Sequence, residues 1–170
     1  MQLNLLAICV GNTSTRLGAF VDGDLAHRCT IDNTQRDSMI TGLQETMAPL
    51  GEKKEAVAVI ASVRPEISDW IGSHVTDRLK LKLFRVEEDL PIPIGRQLDP
   101  EAIVGDDRLL NAAAAYDVLQ QACVIVDAGT AITVDFVDGA GTYHGGAIAP
   151  GVKMMLRSLH EGTAQLPNVE

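Results

Sequence analysis

The feature that most constrains the fold is the stretch Val124-Ile125-Val126-Asp127-Ala128-Gly129-Thr130-Ala131-Ile132-Thr133-Val134-Asp135. A β-branched run ends in an acid, passes through glycine and threonine, and resumes with apolar and polar residues in alternation. β-Branched residues favour extended backbone, and alternation at period two marks a strand with one buried face. The stretch reads as strand, tight turn, strand. Such a turn offers backbone N–H groups to an anion, the Thr130 and Thr133 hydroxyls add donors, and Asp127 stands where a cation could be held against phosphate. An ordinary hairpin turn carries the same residues for local reasons, so the stretch alone leaves both readings open.

The N-terminus repeats the grammar. Ile8-Cys9-Val10-Gly11-Asn12-Thr13 aligns with Val126-Asp127-Ala128-Gly129-Thr130-Ala131, and Phe20-Val21-Asp22-Gly23 recurs as Phe136-Val137-Asp138-Gly139. Two copies of a β-β-β-α unit are expected, each with a glycine turn between its first two strands, and two such turns facing one another would clamp a polyphosphate.

In chain order, strands are expected at Leu3–Ile8, Ser14–Val21 and Leu25–Ile31, with Asp22-Gly23 as a hairpin turn. Asn33-Thr34 then cap a helix presenting Met39, Ile40, Leu43 and Met47. A buried strand follows at Ala56–Ala61, a helix opens at Pro65, and Leu81–Val86 is another strand. Residues 87–100 hold three prolines and a glycine and read as an extended loop. Beyond it, Gly105-Asp106-Asp107-Arg108 starts an alanine-rich helix, and a last helix spans Val152–His160.

Only 4% of residues are aromatic and 46% are apolar, so the interior is built from Ala, Val, Ile and Leu, as in an α/β protein. A net charge of −9, with no basic run longer than Lys53-Lys54, argues against nucleic acid or an anionic membrane as partner. Cys9, Cys29 and Cys123 lack the spacing of a disulfide framework or a zinc site. The absence of a basic leader and of a spanning apolar run points to a cytoplasmic protein.

Four segments together resemble, in order, the motifs of type III pantothenate kinases, the Bvg accessory factor-like family. They are Cys9-Val10-Gly11-Asn12-Thr13 through Gly18, Gly105-Asp106-Asp107-Arg108, Asp127 through Thr133, and Tyr143-His144-Gly145-Gly146-Ala147-Ile148-Ala149-Pro150-Gly151; the tail Gly162 through Pro167 fits as well. The resemblance implies an actin-like (ribonuclease H-like) α/β fold of duplicated β-β-β-α units, with mixed sheets flanked by helices and nucleotide between two domains. The first domain would span 1–122 and a second, incomplete one 123–170. It further implies ATP-dependent phosphorylation of pantothenate to 4'-phosphopantothenate, the first committed step toward coenzyme A, by a homodimer using ATP, Mg2+ and a monovalent cation, K+ or NH4+.

On that resemblance, Cys9, Val10, Gly11, Asn12, Thr13, Ser14, Thr15 and Arg16 at the first turn, with Gly129 and Thr130 at the second, handle ATP and its phosphates. Asp107 is the general base, Gly105, Asp106, Arg108 and Thr163 join it around pantothenate, and Asp127 holds the cation. The bland reading of Asp106-Asp107-Arg108 is a helix start with favourable acidic charge. Tyr143 and His144 read as packing or hairpin residues, and His27, His74 and His160 are assigned no chemistry.

Two departures stand out. Cys9 occupies the position where the family carries an aspartate that helps hold magnesium, and a soft sulfur is a poor substitute for a hard oxygen ligand. The family's chain also continues beyond residue 170, so the second domain is expected to lack helices and strands, with dimerisation or a rearranged sheet compensating. Gln97-Leu98-Asp99-Pro100 lacks the tyrosine often found before the catalytic motif. These departures motivate a second reading, a catalytically impaired relative that binds nucleotide or a pantothenate-like ligand in a regulatory or assembly role.

Overall fold

A computed structural model describes residues 4–51 and 55–169. Contacts divide the chain into two units, Met1–Pro91 and Ile92–Glu170.

In the first unit β1 (Leu5–Val10), β2 (Ser14–Val21) and β3 (Asp24–Asp32) form an antiparallel meander. On its other edge β1 pairs in parallel with β4 (Val57–Ser62), which pairs in parallel with β5 (Lys82–Arg85). The strand order is therefore β3-β2-β1-β4-β5. Period-two alternation supplies the core: Leu6, Ile8 and Val10 of β1 join Leu17 and Ala19 of β2 and Ala58 and Ile60 of β4. Met39 and Leu43 of α1 (Arg36–Met47) and Ile71 and Val75 of α2 (Pro65–Asp77) close over them. Pro65 sits at the start of α2, where its missing N–H leaves no bond unmade.

Two expectations change here. β1 reaches Val10 rather than Ile8, because pairing with β2 continues up to the glycine turn; its expected start at Leu3, like Lys53-Lys54, lies outside the described residues. Nor do Asn33 and Thr34 cap α1, whose N-cap is Gln35. Thr34 instead bonds Asp32 through its N–H (2.8 Å) and hydroxyl (2.6 Å), and Asn33 turns back onto the β1–β2 turn.

The second unit repeats the meander. β7 (Cys123–Ala128), β8 (Ala131–Val137) and β9 (Thr142–Pro150) are antiparallel neighbours, followed by α4 (Val152–Gly162). Within the expected loop, β6 (Gly95–Arg96) pairs in parallel with Thr142 and Tyr143 of β9, giving the order β6-β9-β8-β7. α3 (Asp106–Leu119) packs on β7 and β8, so contacts place the start of this unit at Ile92, ahead of the division expected after residue 122.

One face of the second unit's sheet is apolar and exposed. On β8 Asp135 is 1% exposed, whereas Val134 and Phe136, facing the other way, are 40% and 43% exposed. Val126 and Val124 lie opposite them on β7 and are exposed too, and no residue of α4 is buried. The face under α3 is the mixed one, on which Asp135 lies beside buried Val137 and Tyr143.

Candidate functional sites: a glycine turn in each unit and a helix start in the second

Between β1 and β2 the chain reverses through Gly11-Asn12-Thr13, closed by the Gly11 N–H donating to the Ser14 carbonyl at 3.0 Å. A turn this tight leaves carbonyls pointing outward, and distant residues satisfy them. The Asn33 Nδ2 donates to the carbonyls of Gly11 (2.9 Å) and Asn12 (3.3 Å), the Arg64 Nη1 donates to Asn12 (3.3 Å), and the Asn33 N–H donates to Thr13 (2.9 Å). Asn33 is fixed in turn by the Thr15 hydroxyl, which donates to its Oδ1 at 2.7 Å. Of the residues expected at ATP, Gly11, Asn12, Thr13 and Ser14 form or border the turn, and Arg16 is exposed on β2. Val10 and Thr15 are buried, with the Thr15 hydroxyl directed inward to Asn33. Cys9 lies on β1, paired with Arg16 and Ala61.

The second turn, Gly129-Thr130, is shorter, with the Gly129 N–H bonded to the Ala131 carbonyl at 2.9 Å. Gly151 locks it: its N–H donates to the Thr130 carbonyl at 3.0 Å. A Cβ on Gly151 would collide with the carbonyl oxygens of Gly129 and Thr130, so only glycine permits the approach. Asp127 lies at the end of β7, and Asn111 of α3 donates to its Oδ2 at 3.2 Å.

α3 begins at this sheet. Gly105 is its N-cap and Asp106 and Asp107 lie in its first turn, where acidic charge complements the helix dipole. The Arg108 N–H donates to the Asp107 carboxylate at 2.9 Å and to the Gly105 carbonyl at 3.1 Å. Asp107 and Asn111 are four residues apart and share one helix face, the face that reaches Asp127.

Arg108, expected beside the substrate, is buried. Its Nε donates to both Asp135 oxygens (3.0 and 3.2 Å), and its Nη2 also bonds that carboxylate. The Tyr143 hydroxyl, fully buried, donates to the same carboxylate at 2.6 Å. Bonding to Asp135 holds the guanidinium above its ordinary pKa against the opposing effect of burial. Burial, then the bond to Asp135 and the charges of Asp135 and Asp107, push the Tyr143 phenol well up. Sequence reasoning missed Asn33, Asn111 and Asp135 and gave Tyr143 only a packing role. His144 bonds Asp138 at 2.8 Å beside the hairpin turn. The Thr163 hydroxyl, just past the end of α4, donates to the Leu159 carbonyl at 2.7 Å.

Among the described residues no group of three or more His, Cys, Asp or Glu side chains is arranged to hold a metal. Magnesium accompanying a nucleotide keeps several waters and takes one or two carboxylates, so a sparse donor set fits it. Asp127 supplies one carboxylate beside the second turn, bonded to Asn111.

Residues 5–170 match the sequence profile of the type III pantothenate kinases. The chain belongs to that family. It is 35% identical over 170 residues to the type III pantothenate kinase of Persephonella marina, covering 97% of this chain and 67% of the relative. It is 36% identical over 180 residues to that of Rhodospirillum rubrum, covering 97% and 66%. The chain thus spans about two thirds of the length of these type III pantothenate kinases. Among solved structures it resembles a Baf family protein from Campylobacter jejuni, with TM-score 0.54, 20% identity, and coverage of 91% of this chain and 60% of that one. It also resembles the Aquifex aeolicus PPX-GPPA enzyme, with TM-score 0.51, 17% identity, and coverage of 94% and 56%. The fold is the actin-like α/β one that the family resemblance implied, with the meander present in both units.

Proposed function

We propose that this chain carries the activity of its family, transfer of the γ-phosphoryl group of ATP to the primary hydroxyl of pantothenate. The observation that carries the reading is the joining of three motifs in one unit. Asp107 opens a helix fastened to the sheet at Arg108 and Asn111, and that sheet bears the Gly129-Thr130 turn and its lock, Gly151.

Each glycine turn binds phosphate oxygens through backbone N–H groups and the Asn12, Thr13 and Thr130 side chains. Neutral donors matter in a chain of net charge −9, whose general field repels nucleotide. Asp107 accepts a hydrogen bond from the pantothenate hydroxyl, orients it toward the phosphorus, and takes its proton late, because the transition state is loose. Gly105, Asp106 and Thr163 border the pantothenate side, with the Arg108 guanidinium behind them, turned inward to Asp135. Asp127 holds a cation, magnesium with the nucleotide or K+ or NH4+, which neutralises charge on the phosphates. A homodimer in the cytoplasm completes the reading. Among the described residues no helix is long and apolar enough to cross a membrane.

A second reading, a relative that binds nucleotide or a pantothenate-like ligand without turnover, rests on Cys9 at the end of β1. An assay coupling ADP release to pantothenate, with magnesium and potassium, separates the two in wild type and Cys9→Asp. The first reading expects wild-type turnover, raised by Cys9→Asp. Calorimetric binding of ATP with no turnover in either protein establishes the second.

A further inference from the structure

We propose that Asp135 and Tyr143 are positioning residues that aim the base Asp107, acting through the buried guanidinium of Arg108. The inference rests on the reading of Asp107 as the base and assigns work to two residues outside the motif that contains it.

The geometry is a relay across three elements. Tyr143 of β9 donates to the Asp135 carboxylate of β8 at 2.6 Å. Asp135 receives the Arg108 Nε at 3.0 and 3.2 Å, together with Nη2, along one edge of the planar guanidinium. Arg108 is also the residue whose N–H holds the Asp107 carboxylate, at 2.9 Å. Successive helical residues leave the axis about 100° apart, so pinning Arg108 against the sheet fixes the direction in which Asp107 leaves the first turn.

The backbone is shaped to admit this arrangement. Gly146 of β9 lies directly opposite Asp135, and a Cβ there would come within 2.8 Å of the Asp135 Oδ1 and collide with the Val134 carbonyl. The second glycine of the Gly145-Gly146 pair is thus accounted for first by the Val134 carbonyl and then by Asp135 across from it.

Energetics favour a positioning role over a stabilising one. Desolvating two charges costs about as much as their attraction returns, and well-packed apolar replacements are often as stable. What a planar, edge-on guanidinium–carboxylate contact supplies is a fixed orientation. Asp135 has 1% of its surface exposed and Tyr143 none, so solvent does not compete for that contact. General bases are sensitive to such support, since a displacement of about 1 Å can cost about 100-fold in rate.

The test is a double-mutant comparison of full-length proteins. Asp135→Asn keeps the volume and one acceptor but loses the charge; it is expected to lower kcat about 10- to 100-fold with the pantothenate KM within about threefold. Tyr143→Phe is expected to lower kcat about 3- to 10-fold, since it removes one hydrogen bond of the relay. In an Asp107→Asn background, Asp135→Asn should slow the enzyme no further, because its only route to the chemistry is gone. Equal fold-losses in the two backgrounds would overturn the inference.

Amide hydrogen exchange supplies a readout independent of turnover. In Asp135→Asn the amides of Arg108 and Leu109, both bonded to the Gly105 carbonyl, should exchange at least about tenfold faster while β7 and β8 amides are unchanged. A uniform acceleration means that the pair serves global stability only, and the proposal fails. Wild-type inactivity, or an Asp107→Asn protein as fast as wild type, removes the reading of the base, while the exchange pattern still decides whether Asp135 orders the helix start.

Discussion

Asn33 offers the sharpest single test of how the first turn is held. Its side chain donates to Gly11 (2.9 Å) and Asn12 (3.3 Å) and accepts from Thr15 (2.7 Å), whose side chain has no exposed surface. In Asn33→Ala two good hydrogen bonds and one long one vanish. At about 1 kcal/mol each for the good pair, and with the buried Thr15 hydroxyl left unpaired, the loss is about 2–3 kcal/mol. For a chain of this size that lowers Tm by about 4–12 °C. Loosening the turn by about 1 kcal/mol raises the KM for ATP about fivefold, with little change in the KM for pantothenate. Asn33→Asp separates fold from function. It retains the acceptor for Thr15, so it melts closer to wild type, but it puts a negative charge against turn carbonyls and phosphate and weakens ATP more than alanine does. Urea melts and steady-state kinetics on the three proteins make the comparison. An Asn33→Ala protein within about 0.5 kcal/mol of wild type, with unchanged KM for ATP, would refute this account of the turn.

Other outcomes follow from the same contacts. Gly151→Ala drives a methyl into the carbonyls of Gly129 and Thr130; it should cost about 1–3 kcal/mol and weaken ATP binding, read by melting and calorimetry. Bonds from Thr34 hold Asp32 below the ordinary carboxylate pKa, and bonds from His144 and the Thr142 N–H do the same for Asp138. A depressed folded value gives stability that is present above the unfolded value, 3.8, and is lost as pH falls through the folded one. Melts between pH 6 and pH 2, read as about two-unit steps, should therefore show a shallower acid limb in Asp138→Ala than in wild type.

Much of the architecture was legible because period two and glycine turns are local signals. β2 is found at Ser14–Val21 as its pattern predicts, and the repeated Phe-Val-Asp-Gly hairpins mark two like meanders. Helix starts were less legible. Asn33 has the composition of a cap, but the carbonyls of a turn more than twenty residues away claim its side chain. β8 misleads for a related reason. Alternation shows that Val134 and Phe136 oppose Thr133 and Asp135, but not which face α3 covers, and here the helix covers the face with Asp135, Val137 and Tyr143, where Arg108 partners Asp135. One signal was available: an acid between valine and phenylalanine in a strand, with an arginine at a helix start upstream. β6 escaped because two residues carry no periodicity.

Formation of 4'-phosphopantothenate from pantothenate and ATP, followed by mass spectrometry for wild type beside Asp107→Asn, tests the central claim most directly. The account predicts product in the wild type and a kcat lower by about 100- to 10,000-fold in Asp107→Asn, with the KM for ATP little changed. Product formed equally fast by both proteins, or by neither when both are folded, would contradict it.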